Sequence, residues 1–341
     1  MRTSLLFASL LLFACGSSTT TSDAGPDGAA ADSGPAGDAT PPPDSGPGTT
    51  TWVFKKMFVG DSDRTFKASA TAWRTFGADI DGKATTSMST DVCQRAQGAP
   101  SMVQADGDNG VDNSFGANVL PVLLAAGLSN PSLQWSQATQ QGATRPVLLR
   151  VQGLAQTSAS TPTDLFIGAI PPGPPVYDGT GTWPTSSLSV DAMDLSKPKV
   201  QLTGAAQAGA WQTQRASAVA QLYMKYDNGT LVLPIRKLAL AASPSLDGKT
   251  LDQGQLSGVM KTTELVEAVR QAIGVANPSL CMGASWDSIA AQLAQAADIL
   301  VDGTQNANAP CDAISIGLGF EGAVMGVGAV TNDPGPAKPC N

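Results

Sequence analysis

The feature that most constrains this chain is a long tract that cannot build a core. From Gly16 to about Thr51 the sequence is almost wholly Gly, Ser, Thr, Ala, Pro and Asp, and it carries no Lys or Arg. So little apolar surface cannot offset the entropy of ordering a chain, so the tract is expected to be disordered and folding is confined to the residues beyond it. A short theme recurs in it, Asp23-Ala24-Gly25-Pro26, Asp32-Ser33-Gly34-Pro35 and Asp44-Ser45-Gly46-Pro47. Repetition of this kind is compositional and reads as a spacer. A flexible coil of roughly 35 residues reaches on the order of 30 to 40 Å. Asp23, Asp27, Asp32, Asp38 and Asp44 supply much of the net charge of −8 and would be repelled by an anionic membrane face.

Ahead of the tract, Arg2 precedes the apolar run Leu5 to Ala14, and Cys15 comes next. That run is too short to span a bilayer, and it reads as a secretory signal peptide. An ordinary cleavage nearby would leave Cys15 in the discarded segment. The stretch Leu12-Phe13-Ala14-Cys15-Gly16, however, resembles the lipobox of bacterial lipoproteins. The resemblance implies that Cys15 becomes the lipid-carrying N-terminus, with diacylglycerol and an amide-linked chain such as palmitate. It also implies an outer-membrane address, because Gly16 is not the aspartate of proteins retained at the inner membrane. Two or more hydrocarbon chains suffice for stable anchoring. The expected organisation is a signal peptide over 1–14, a lipidated cysteine and tether over 15–50, and a single globular domain over 51–341.

That domain is long enough for a real core. The chain is short of charge (14 %) and aromatics (5 %) and rich in Gly and Pro, which suits an exported β-rich fold with many turns. Alternation predicts strands at Thr51–Val59, Val147–Val151, Asp164–Ile170, Leu238–Leu240, Leu251–Met260 and Ala313–Phe320. A hairpin is expected where Gln221–Tyr226 and Thr230–Ile235 flank Asp227-Asn228-Gly229, since Asn-Gly supplies the positive φ of a tight turn. Helices are predicted at Glu264–Ile273 and Ser285–Val301, from apolar residues at three- and four-residue steps. A weaker helix starts after Asn113 and is interrupted by Pro121. The fold class expected is mainly β, sandwich-like, with two or three C-terminal or peripheral helices; α+β is the alternative.

Cys93, Cys281, Cys311 and Cys340 form an even set in an exported chain, which points to two disulfides. The favoured pairing is Cys281 with Cys311, across a helix that turns back, and Cys93 with Cys340. Zinc is a poor alternative without histidine or a CxxC pair.

Three acidic loops are the candidate sites. Asp106-Gly107-Asp108-Asn109-Gly110-Val111-Asp112-Asn113 is the densest, and Asp106, Asp108 and Asp112 are the candidate ligands of a structural calcium ion, which prefers such oxygens. Asp79-Ile80-Asp81-Gly82 and Asp61-Ser62-Asp63 would contribute if folding brings them near. The competing reading is Asx-turns and caps. Enzymatic readings are weak. Gly60-Asp61-Ser62 is similar to the start of one hydrolase family that needs a histidine base, and the chain contains no histidine. A carboxylate pair drawn from Asp79, Asp81, Asp106 and Glu321 would be the basis of a glycosidase. No phosphate-binding glycine motif is present, and without a basic cluster nucleic acid is not an expected partner.

The signal, the tether, Gly77-Ala78-Asp79-Ile80-Asp81-Gly82, Asp108-Asn109-Gly110-Val111-Asp112-Asn113 and Cys311 to Gly317 together resemble outer-membrane lipoproteins of the myxobacterial type. That resemblance implies a location and no activity. The functional expectation is a membrane-anchored lipoprotein of the cell envelope, periplasmic or surface-exposed, with a non-catalytic structural or binding role and an envelope or extracellular ligand. The alternatives are a calcium-dependent carbohydrate-binding or adhesive module and a hydrolase with a carboxylate pair.

Overall fold

The computed structural model describes residues 48–340 apart from 227 and 228. The signal, Cys15 and almost all of the tether lie outside the described residues. With 36 % strand against 23 % helix, the fold is mainly β. The first half of the chain's strands comprises β1 (Thr49–Phe58), β2 (Val147–Gln152), β3 (Ser158–Ile167), β4 (Thr182–Ser186), β5 (Val200–Gln207) and β6 (Ala210–Thr213). The second comprises β7 (Ala220–Tyr226), β8 (Gly229–Pro244), β9 (Thr250–Lys261), β10 (Ala313–Val324) and β11 (Gly326–Thr331). The α-helices are α1 (Leu120–Ala125), α2 (Pro131–Gln140), α3 (Thr262–Ala276) and α4 (Ala284–Ala294).

Nine strands form one antiparallel sheet in the order β6-β5-β3-β2-β1-β10-β9-β8-β7. Its ends meet, because β6 also pairs with β8 through Trp211 opposite Ala242 and Gln212 opposite Ala241. Eight strands therefore close into a ring, and β7 extends the wall beside the first half of β8. The two faces expected of a sandwich are opposite walls of one closed sheet.

Closure at eight strands leaves an interior that side chains can fill. One face of the strands meets in a single buried cluster that includes Trp52, Phe54, Leu149, Trp211, Leu256 and Phe320. Phe54 and Phe320 stack with ring centroids 3.9 Å apart. Trp211 Nε1 donates to Thr161 Oγ1 at 2.9 Å, so the buried indole has a polar partner. On the outer face Val53, Leu148 and Phe166 pack against Trp183, Met325 and Val327 of the separate parallel pair β4–β11 and its approach.

The helices adjust the sequence-based picture. The predicted helix at 264–273 is α3. The one expected over 285–301 is α4 and stops at Ala294, because the chain beyond it turns to pair with β10: Ile299 bridges Ala313, and Asp298 accepts from Ser315 N at 2.8 Å. Pro121 does not break the third helix; a π-helical turn over Phe115–Val119 leads into α1, and Pro121 sits in its first turn, where a missing N–H costs little. Helix α2 has no counterpart among the expected elements. No helix among the described residues is long and apolar enough to cross a membrane.

The disulfide pairing differs from the one favoured on sequence. The bonds are Cys93–Cys311 and Cys281–Cys340. Because α4 is short, Cys311 lies at the foot of β10, where its N–H donates to Gln94 O at 2.8 Å and places it beside Cys93. Cys281 sits in a turn just after α3, and Cys340 Sγ lies over that helix, near Arg270 O.

Candidate metal centre

Residues 60–113 run across the outer face of the barrel without a strand or an α-helix, held in 3-10 turns and isolated bridges. What lets them lie so close is the alternation in Ile314-Ser315-Ile316-Gly317-Leu318-Gly319-Phe320. The large residues point inward, and the outer positions are Ser and Gly. A Cβ on Gly317 would stand 2.0 Å from Phe76 O, so only glycine permits this approach. Asn113 fastens the segment: its Oδ1 accepts from Gly317 N and Gly116 N, both at 3.0 Å, and its Nδ2 donates to Gly317 O at 2.9 Å and Trp73 O at 3.0 Å. Ser114 N donates to Ser315 Oγ at 2.8 Å. Cys93–Cys311 ties the same segment to the foot of β10.

This docking brings the 79–82 loop against residue 112. One carboxylate oxygen from each of Asp79, Asp81 and Asp112 lies within 4.8 Å of the others, and among the described residues these three are grouped so that they could hold a metal ion. Main-chain donors orient each carboxylate through one oxygen. Asp79 Oδ1 accepts from Gly82 N at 2.7 Å, and Asp81 Oδ1 accepts from Lys83 N at 2.8 Å. Asp112 Oδ2 accepts from the N–H groups of Ile80 and Asp81. Asp81 Oδ2 is sealed from solvent with no hydrogen-bond partner, and Asp112 is only 2 % exposed.

Of the three aspartates read as a calcium set, only Asp112 belongs to this cluster. Asp108 turns outward to Arg74 Nε at 2.9 Å. Asp106 is spent on Thr85, whose hydroxyl and N–H both donate to it, and it acts on the cluster through its charge. The 79–82 loop does join, as anticipated, whereas the 61–63 loop does not. Asp61 accepts from the Ser132 hydroxyl, and Asp63 closes a local turn onto Thr65 and Lys67. Glu321 pairs with Lys56 at 2.7 Å.

The electrostatics are those of crowded anions. Burial pushes the Asp112 carboxyl up to about 9, with Asp81, Asp298 and Asp106 adding to the rise. Burial also raises Asp106, and Asp79 and Asp81 push it the same way. Asp298 was not singled out as a site residue on sequence. It lies near Asp112 at the end of the expected helix and is pushed up to about 7 by burial, against the opposing bonds from Ser315. Arg215 approaches this region, but its Nη2 donates to the carbonyls of Asp79 and Ile80. The Gly60-Asp61-Ser62 trio shows no nucleophile geometry: Ser62 Oγ is buried without a partner, and Asp61 is engaged by Ser132.

Compared with protein-family models, with curated proteins and with solved structures, the chain matches none.

Proposed function

We propose that the chain is a non-catalytic lipoprotein of the cell envelope, anchored in the outer membrane through Cys15 and carrying a rigid barrel with a structural or binding role. The observation that carries this reading is the filled barrel interior. Trp52, Phe54, Trp211 and Phe320 occupy the space where a barrel of this strand number would hold a small ligand, so recognition falls to the outer surface. The carboxylate-pair alternative loses support because Asp106 is committed to Thr85 and Glu321 to Lys56, and the Gly-Asp-Ser reading because Ser62 is sealed and Asp61 is committed to Ser132.

The test is expression of the full chain in a Gram-negative host with labelled palmitate, beside the variant Cys15→Ser. The wild type is expected in the detergent-extracted outer-membrane fraction with label, and the variant in the soluble periplasmic fraction without it. An unlabelled wild type, or a variant that stays in the membrane, would overturn the anchor. Hydrolysis of glycan or ester substrates by the purified full chain would overturn the non-catalytic role.

A further inference from the structure

We propose that Asp79, Asp81 and Asp112 bind one Ca²⁺ ion, which closes the 79–83 loop onto residues 106–113 and so fixes the strand-free segment of residues 60–113.

Two observations besides the clustering point to a cation. Asp81 Oδ2 is removed from solvent and accepts no hydrogen bond. Asp112 is only 2 % exposed, and its Oδ2 is held by two main-chain N–H groups. A buried carboxylate oxygen without a donor is strongly disfavoured unless a proton or a cation compensates it, and a cation can displace the proton that burial favours on Asp112. Arg215 is turned to main-chain carbonyls instead, and the Lys83 ammonium pairs with Asp91.

The donor set selects the metal. All candidate ligands are oxygens, which suits a hard cation and excludes a thiolate or imidazole site. Oxygens within 4.8 Å of one another can be bridged by one ion at Ca–O distances of about 2.3 to 2.6 Å. Mg²⁺ needs about 2.1 Å and a near-ideal octahedron, which asks more of three loop carboxylates. The main-chain N–H bonds to the other carboxylate oxygens are the outer support that keeps such ligands aimed.

The test uses the full chain in detergent, stripped with chelator and titrated with CaCl₂ by calorimetry and by thermal melting. The expected result is one Ca²⁺ per chain and a melting rise of about 5 °C or more at a hundredfold excess over Kd. Trypsin cleavage after Lys83 should slow at least about tenfold, in line with that population shift. Asp112→Asn keeps an oxygen for Ile80 N and Asp81 N, so it should fold and melt higher than wild type in chelator while losing the response to Ca²⁺. Asp81→Asn should lose the response as well, and Asp108→Asn should keep it. No heat and no shift in the wild type would overturn the site. So would an equal shift with Mg²⁺ or with KCl at matched ionic strength, or an intact response in both cluster variants.

Discussion

Asn113 fastens the outer segment to β10, and Asp298 fastens the stretch after α4 to the same strand. Asn113 is buried and uses its whole amide on main-chain groups from stretches far apart in sequence. Replacing it with Ala leaves several buried main-chain groups unpaired, and at about 1 to 3 kcal/mol for each such group the expected loss is about 3 kcal/mol or more, read by urea denaturation. Asp298 predicts a pH dependence. Its carboxyl is held up to about 7 in the folded protein against 3.8 as the ordinary value, so between those pH values the folded state keeps a proton that the unfolded chain releases. The stability it contributes is complete below about pH 4 and is lost as pH rises through about 7. In chelator, melting temperature plotted from pH 4 to 8 should fall more steeply for wild type than for Asp298→Asn. Equal slopes would assign the dependence elsewhere. Neither role is legible in the sequence. Asn113 reads as one more residue of an acidic loop, and Asp298 falls inside the helix expected over 285–301, because each acts through a partner 204 or 17 residues away.

At the level of elements, legibility tracks side-chain alternation. The long strands β1, β8, β9 and β10 and the helix α3 are readable because their apolar period is largely unbroken. Helix α2 is not, because the face it buries carries serines. Beyond Val53 the strand β2 has left β1, and Ser136 Oγ and Ser132 Oγ accept from Met57 N at 3.1 Å and Val59 N at 2.9 Å in its place. β5 and β6 are hidden for a similar reason, since Gly, Ala and Gln dominate their closing hairpin. The acidic loops are legible in the sequence but their grouping is not: oxygens close in sequence diverge at Asp108, and those of Asp79 and Asp81 converge on Asp112. The outer strip of β10 carries its own prediction. Gly317→Ala puts a methyl group into Phe76 O and Gly77 Cα and should cost about 1 to 3 kcal/mol in denaturation while also weakening Ca²⁺ binding. A variant with unchanged stability would show that the segment does not lie on the strand.

Over the whole molecule the barrel and the outer segment have different sources of order. The ring of strands rests on a continuous apolar core and on its own closure. The segment 60–113 rests on Asn113, on Cys93–Cys311 and, in our proposal, on calcium. The disulfide spans 218 residues, and removing it as Cys93→Ser with Cys311→Ser is expected to cost about 2 to 5 kcal/mol, with the loss read by reversible unfolding under non-reducing conditions. The pairing favoured on sequence would have linked other parts of the chain, and it fails because it depends on a helix that ends at Ala294 rather than Val301. Hydrogen–deuterium exchange of the full chain, with Ca²⁺ and with chelator, distinguishes a rigid scaffold bearing a separately fastened surface segment from a molecule ordered as one piece. Ca²⁺ is expected to slow exchange at 78–84 and 106–113 while β1, β9 and β10 stay protected in both conditions. Uniform change across the barrel, or no change in those two loops, would contradict this division of order.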